Sequence, residues 1–275
     1  MGYNFPMTDT ASLPQIPDDV VTFASGGRMP LLGFGTWQIT GDEAVSATAT
    51  ALEVGYRHLD TATVYENEGE VGHALSESGI ARDDVFVTTK CPPHLAGQEI
   101  ATLERSLELL GTDHVDLWLM HWPPNAQATP STWQAFRELR DEGLARAIGV
   151  SNYSLAQIDE LIEVTGEAPA VNQIPWSPRD FDAWLLAELT LRGVVLEGYS
   201  PLKRTDATTP LLAEISERHG ATVQQVVLAW HLAHRVVVIP KSTNPQRIEA
   251  NLDVLGFTLS DEEVAAIDAL SIVER

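Results

Sequence analysis

Eight short runs rich in β-branched and apolar residues recur along the chain. They are Leu31–Phe34, Arg57–Asp60, Val85–Thr89, Val115–Met120, Arg146–Val150, Ala170–Gln173, Val194–Tyr199 and Val236–Pro240. Between them Glu43–Val54, Ile100–Leu110, Thr132–Glu142, Leu155–Val164 and Phe181–Leu191 read as amphipathic helices. The spacing of about 25–30 residues is that of one strand–helix unit. The last gap is longer and leaves room for an extra helix, Pro210–His219, ahead of Val223–Ala233. This alternation, with no break in composition, predicts an α/β fold, a (β/α)8 TIM barrel. The barrel is expected to be one domain over residues 18–275, after a loose tail at 1–17. A doubly wound open sheet is the alternative. That fold opens on a G-x-G-x-x-G turn, which Gly33-Phe34-Gly35-Thr36-Trp37 lacks. Val20–Phe23 with Gly26-Gly27 reads as an N-terminal hairpin closing the barrel's bottom. Ser260-Asp261-Glu262-Glu263 reads as a capping box for a final helix.

Charge narrows the partners. Seventeen Lys+Arg face 39 Asp+Glu, a net charge of −22. A chain this acidic offers no field for nucleic acid. No apolar run reaches the ~18 residues of a membrane helix, so no membrane partner is expected. The first basic residue is Arg28, so no secretory leader is expected, and Pro6 stands where myristoylation needs Ser or Thr. The one cysteine, Cys91, leaves no internal disulfide and no multi-cysteine zinc site, which fits a cytoplasmic protein without a metal. A buried, inert thiol is the expected state of Cys91. Only three lysines occur, Lys90, Lys203 and Lys241, and arginine fills every other basic position.

Barrel enzymes draw their reacting groups from the C-terminal ends of strands. There the chain places Asp60 and, just beyond, Tyr65. It then places Lys90, His121-Trp122, Ser151-Asn152, Asn172-Gln173, Tyr199-Ser200 and Lys241-Ser242. Asp60, Tyr65, Lys90 and His121 make an acid–base set. A buried lysine beside a tyrosine favours the tyrosinate and lowers its pKa from about 10. A carboxylate keeps that lysine charged, and a histidine orients a carbonyl or relays a proton. Each residue alone has a structural reading, as a packed ring, a core histidine or a helix cap. Together, on successive strand ends, they point to chemistry.

These same segments carry a family resemblance. Gly55-Tyr56-Arg57-His58-Leu59-Asp60-Thr61-Ala62-Thr63-Val64-Tyr65-Glu66-Asn67-Glu68 resembles the aldo-keto reductase signature. Ile148-Gly149-Val150-Ser151-Asn152 resembles a second motif, and Ile239–Ile248 a third. The resemblance runs from about Val21 to Leu270 and looks nearest to short bacterial members such as diketogluconate reductases. It implies an NADPH-dependent reductase of aldehydes and ketones, working by hydride transfer and then protonation. Tyr65 would be the acid, Lys90 would tune it, Asp60 would hold Lys90, and His121 would orient the carbonyl. Thr36 and Trp37 would lie near the nicotinamide and Tyr199 would stack on it. Ser151, Asn152 and Gln173 would hold its carboxamide. Ser200 to Leu202 would follow the pyrophosphate, with Lys203 reaching a phosphate. Lys241, Ser242 and Arg247 would clamp the 2′-phosphate, favouring NADP(H) over NAD(H).

The chain departs from the family in four places, the first where Pro175 follows Ile174 and the family commonly has an acidic residue after the Gln173 position. Trp176-Ser177-Pro178 replaces a usual Tyr-His-Pro, Ala250 stands where many members have Glu, and the tail ends soon after the last helix. Trp37, Tyr65, His121 and Trp122 would line an open pocket for a small-molecule carbonyl of broad specificity. A soluble monomer is expected. Two other function classes stand beside this one. A cofactor-binding regulatory subunit, as in the potassium-channel β-subunits, would show an exposed apolar face. A metal-dependent hydrolase would need converging ligands, whereas His219, His231 and His234 read as ordinary helix surface.

Overall fold

The structure is a computed structural model that describes residues 20–127 and 129–273. The tail expected at 1–17 lies outside these residues. A hairpin comes first, β1 (Val20–Thr22) antiparallel to β2 (Arg28–Pro30). Eight parallel strands follow: β3 (Phe34–Gly35), β4 (His58–Asp60), β5 (Phe86–Cys91), β6 (Val115–Met120), β7 (Ala145–Ser151), β8 (Val171–Pro175), β9 (Val195–Tyr199) and β10 (Val237–Val238). They pair in chain order from β3 to β10. Leu32 bridges Val238 in parallel, and Gly33 N–H donates to Val238 O at 2.9 Å. The last strand thereby meets the first, as the sequence led us to expect.

Helices α1 (Gly41–Val54), α2 (Glu68–Glu77), α3 (Glu99–Leu110), α4 (Pro130–Asp141), α5 (Leu155–Thr165) and α6 (Ala183–Leu191) link successive strands. Two helices, α7 (Pro210–His219) and α8 (Val223–Ala233), fill the last gap, and α9 (Pro245–Leu252) and α10 (Asp261–Asp268) close the chain. The expected capping box at Ser260 and Glu263 forms, with equivalents at Ser154/Gln157 and Thr222/Gln225. Each satisfies two backbone donors that a helix start leaves open. Helix α2 was not evident from periodicity. Its buried positions are Glu68, Val71, Gly72, Ala74 and Leu75, a stripe too small and too polar to stand out.

The pleat sorts side chains strictly. Leu59, Val87, Trp118, Ile148 and Leu196 face the helices and build the outer core. On the inner face the bottom layer is apolar. Phe86, Leu117, Leu119, Ala147, Val171 and Val237 meet Val21, Phe23, Met29 and Leu31 from the hairpin region. Each such side chain contributes about 1.5–3 kcal/mol relative to exposure. That burial seats a hairpin whose three-residue strands would not persist alone. Higher up the same face turns polar, with His58 and Asp60 on β4, Thr88 and Lys90 on β5, Gln173 on β8 and Glu197 on β9 all buried. Strand β5 runs to Cys91, beyond the expected end at Thr89, so Lys90 sits inside the ladder.

Candidate active site

Lys90 is wholly buried, and its ammonium donates to Asp60 Oδ1 and to Thr61 O, both at 2.7 Å. The second Asp60 oxygen accepts from Gln173 Nε2 at 2.8 Å. The carboxylate is therefore fixed from two strands. Tyr65 stands on a single-turn helix, Thr63–Tyr65, just past β4. Its ring centre lies 5.0 Å from Lys90 Nζ and 5.7 Å from the His121 ring, edge to face. Asn67 locks this turn. Its side-chain amide donates to Thr36 O at 2.9 Å and Ile39 O at 2.8 Å, and its carbonyl accepts from Thr61 Oγ1 at 2.7 Å. Thr63 Oγ1 ties the same turn to Lys90 O at 2.8 Å. Gln38, Glu66, Asn152 and Ser200 all have left-handed backbone at this mouth of the barrel. Non-glycine residues in that region gather where a site dictates the backbone.

Burial and charge set the protonation states. Burial lifts the Tyr65 phenol above its ordinary value of 10.0, against the pull of Lys90, and Asp60 and Glu197 add to the rise. This reverses the expected lowering, because desolvation of the phenolate outweighs one nearby ammonium. Tyr65 is therefore a protonated phenol. Burial opposes the Lys90 charge, but Asp60, Tyr65 and Glu197 together raise it above the usual lysine value. Burial, then Lys90, pushes His121 down from 6.5 to about 3, so its ring is neutral.

The neutral His121 has a measurable consequence. Unfolded, its imidazole binds a proton near pH 6.5, and folded only near 3. In between, the unfolded state holds more protons, so this group's contribution to stability is full above 6.5 and is lost as pH falls toward 3. The urea midpoint of His121→Gln should therefore depend less steeply on pH between 6.5 and 4 than that of the parent chain. Identical slopes would show that His121 is protonated in the fold.

Four of the expected cofactor residues, Ser151, Asn152, Gln173 and Tyr199, form one linked group. Ser151 Oγ donates to Gln173 O at 2.8 Å, and Asn152 Nδ2 to Ser151 Oγ at 2.9 Å and His121 O at 3.1 Å. Tyr199 OH donates to Asn152 Oδ1 at 2.9 Å. Thr36 Oγ1 is turned inward onto Asp60 O at 2.9 Å. Ser200 and Leu202 begin the loop after β9, partly exposed. Lys241 and Arg247 flank the start of α9, and both are exposed and free of ion pairs among the described residues. Ser242 Oγ accepts from Asn244 N at 3.1 Å in that turn. Trp37 and Trp122 are 43% and 50% exposed. Lys203 follows Leu202 in the same loop, and its ammonium sits 5.3 Å from the centre of the Trp37 ring.

One expectation changes and two hold. His231 is not helix surface but wholly buried, between Val227 O at 2.7 Å and Trp176 O at 3.3 Å. His219 and His234 do lie nearer the surface, paired with Glu263 and Asp268 at 2.9 and 2.8 Å. Cys91 is buried and burial pushes its thiol up to about 12, the inert state expected. Asn67, His58 and Glu197 carried no assignment in the sequence. The period-two pleat could have found two of them, since His58 precedes Asp60, and Glu197 precedes Tyr199, by one inward step.

Barrel and site define a class: a closed parallel barrel with a buried Lys90–Asp60 pair, and with Tyr65 and His121 just past the C-terminal ends of their strands. The chain belongs to the aldo/keto reductase family, whose model matches residues 31–272. It is 41% identical to morphine 6-dehydrogenase of Pseudomonas putida, over 91% of this chain and 90% of that one. It is 40% identical to 2,5-diketo-D-gluconic acid reductase B of a Corynebacterium, with 94% of each chain covered. Among solved structures, a Bombyx mori aldo-keto reductase in complex with NADP superposes with a TM-score of 0.87. It is 33% identical, over 93% of this chain and 94% of that one.

Proposed function

We propose that this chain reduces aldehydes and ketones to alcohols with NADPH, Tyr65 delivering the proton. The observation that carries the reading is the buried Lys90 ammonium, 2.7 Å from Asp60 and 5.0 Å from the Tyr65 ring centre. That arrangement holds a protonated phenol beside a fixed positive charge. As a carbonyl oxygen gains negative charge it accepts the Tyr65 proton, and Lys90 stabilises the phenolate left behind. Neutral His121 donates one hydrogen bond to the same oxygen and sets its approach. The dihydronicotinamide, when bound, supplies the hydride.

The residues present suit such a cofactor. Lys241 and Arg247 have no ion-pair partner among the described residues, in a chain of charge −22, as a 2′-phosphate would require. Ser151, Asn152, Gln173 and Tyr199 present amide and hydroxyl groups suited to a carboxamide and a stacked ring. Thr36, Trp37, Ser200, Leu202 and Ser242 would complete the binding surface. Trp37, Tyr65, His121 and Trp122 would bound the substrate. The relatives' names span an alkaloid and a sugar acid, in keeping with broad carbonyl specificity. Among the described residues no helix is long and apolar enough to cross a membrane. We take the working form to be a cytoplasmic monomer with one barrel domain over 18–275.

The test is NADPH consumption across a panel of small aldehydes and ketones; no turnover with any of them would end the reading. Removing a charged partner of a phosphate costs about 1.5–3 kcal/mol, or roughly 10–100-fold in affinity. Arg247→Ala should weaken NADPH binding by that factor and leave NADH binding nearly unchanged. Equal losses for both nucleotides would remove Arg247 from the clamp.

A further inference from the structure

One layer below the Lys90–Asp60 pair the barrel holds a second acid that the steps above do not use. Glu197, on β9, is wholly buried, and neither carboxyl oxygen has a hydrogen-bond partner among the described residues. Its Oε1 lies 3.8 Å from His58 Nε2, beyond hydrogen-bond range. That imidazole Nε2 is instead 3.2 Å from Thr88 Oγ1. Gly33 packs so closely that a Cβ there would stand 2.4 Å from His58 Nδ1, which holds the ring in place. His58 is as buried as Glu197, and burial, then Lys90, keeps it neutral with a pKa of about 3. It therefore offers Glu197 no counter-charge. A carboxylate in a dry interior, with no hydrogen bond of normal geometry and only the Gln173 amide beside it, is strongly disfavoured.

We infer that Glu197 is held as a neutral carboxylic acid beneath the Tyr65–Lys90–Asp60 group and is a positioning residue for the reaction: its ionisation weakens Tyr65 as an acid. The inference rests on the carbonyl-reductase reading of Tyr65. The groups that face Glu197 are His58 and Asp60 on β4, Lys90 on β5, the Gln173 amide on β8, and Tyr65. Burial raises its carboxyl to about 8, Asp60 adds to the rise, and Gln173 and Lys90 oppose it. While Glu197 is neutral, the Lys90 and Asp60 charges balance. Once it ionises, an extra negative charge raises both Tyr65 and Lys90. A phenol held higher gives up its proton less readily, so reduction slows as pH rises through this ionisation.

The test compares the parent chain with Glu197→Gln, which keeps the shape of the neutral acid. The kcat for NADPH-dependent reduction of 4-nitrobenzaldehyde is measured from pH 6 to 10. The parent should lose about 3–10-fold between roughly pH 7 and 9, and the variant should keep its neutral-pH rate through that range. Infrared titration reads the acid directly. The parent should lose one protonated-carboxyl carbonyl band over the same range, and the variant should lack that band. Superimposable rate profiles, or no such band at pH 7, would overturn the inference. If Glu197→Gln does not fold, Glu197→Met serves as a second uncharged variant. If the parent reduces no carbonyl, the functional reading fails by itself. The inference is then decided by the infrared band and by the pH at which Tyr65 ionises, read as phenolate absorbance against Tyr65→Phe. That pH should fall by about one unit without Glu197, and an unchanged value would overturn it.

Discussion

Replacing Lys90 with methionine should abolish carbonyl reduction and destabilise the fold by about 3–5 kcal/mol, because it strands a buried carboxylate. Asp60 is 2% exposed and would retain only the Gln173 amide as a donor. Methionine fills most of the volume, so packing loss is a minor part of the cost. Adding Asp60→Asn should recover most of the stability, since the second change removes the stranded charge. It should recover none of the activity, because Tyr65 would still lack its ammonium. Urea unfolding of the parent, the two single variants and the double variant gives the coupling. A Lys90→Met chain as stable as the parent would mean that the Lys90–Asp60 contact carries no weight in the fold.

The separation between stability and activity in that series follows from how the barrel is layered. The lower interior is an apolar plug that Val21, Phe23, Met29 and Leu31 complete. The polar groups lie above it on the same inward face. Their orientation comes from strands, with Asp60 and Lys90 on neighbouring ladders, Asp60 paired with Thr88 in register. Only Tyr65 and His121 stand just past strand ends, and Asn67 restrains the turn that bears Tyr65.

Much of this was legible beforehand, for reasons that differ from element to element. Strand–helix alternation read out the barrel because each unit repeats one pattern of burial. The strand-end rule brought Asp60, Tyr65, Lys90 and His121 together because a parallel barrel puts all strand ends on one face. Helix α2 was not legible, since its buried stripe consists largely of Glu, Gly and Ala. The sign of the Tyr65 shift was not legible either. A neighbouring lysine can be read from a motif, but the depth of burial that outweighs it depends on the assembled barrel. His231 shows the same limit: three residues before His234, which caps the same helix, it points inward against Gly198 while His234 reaches Asp268. Glu197 and His58 were within reach of the period-two rule, but strand ends alone drew attention.

Tyr65→Phe is the most direct test of the account, because it removes one oxygen and leaves the ring against His121. The phenol is the proposed proton donor, and general-acid catalysis accounts for about 10²–10⁴-fold in rate. NADPH affinity, read by fluorescence, should stay within about twofold, since Tyr65 makes no hydrogen bond to the proposed cofactor residues among the described residues. Turnover of a small aldehyde by the variant should drop by at least 10²-fold. Turnover equal to the parent's, with NADPH bound normally, would contradict the assignment of Tyr65 as the acid.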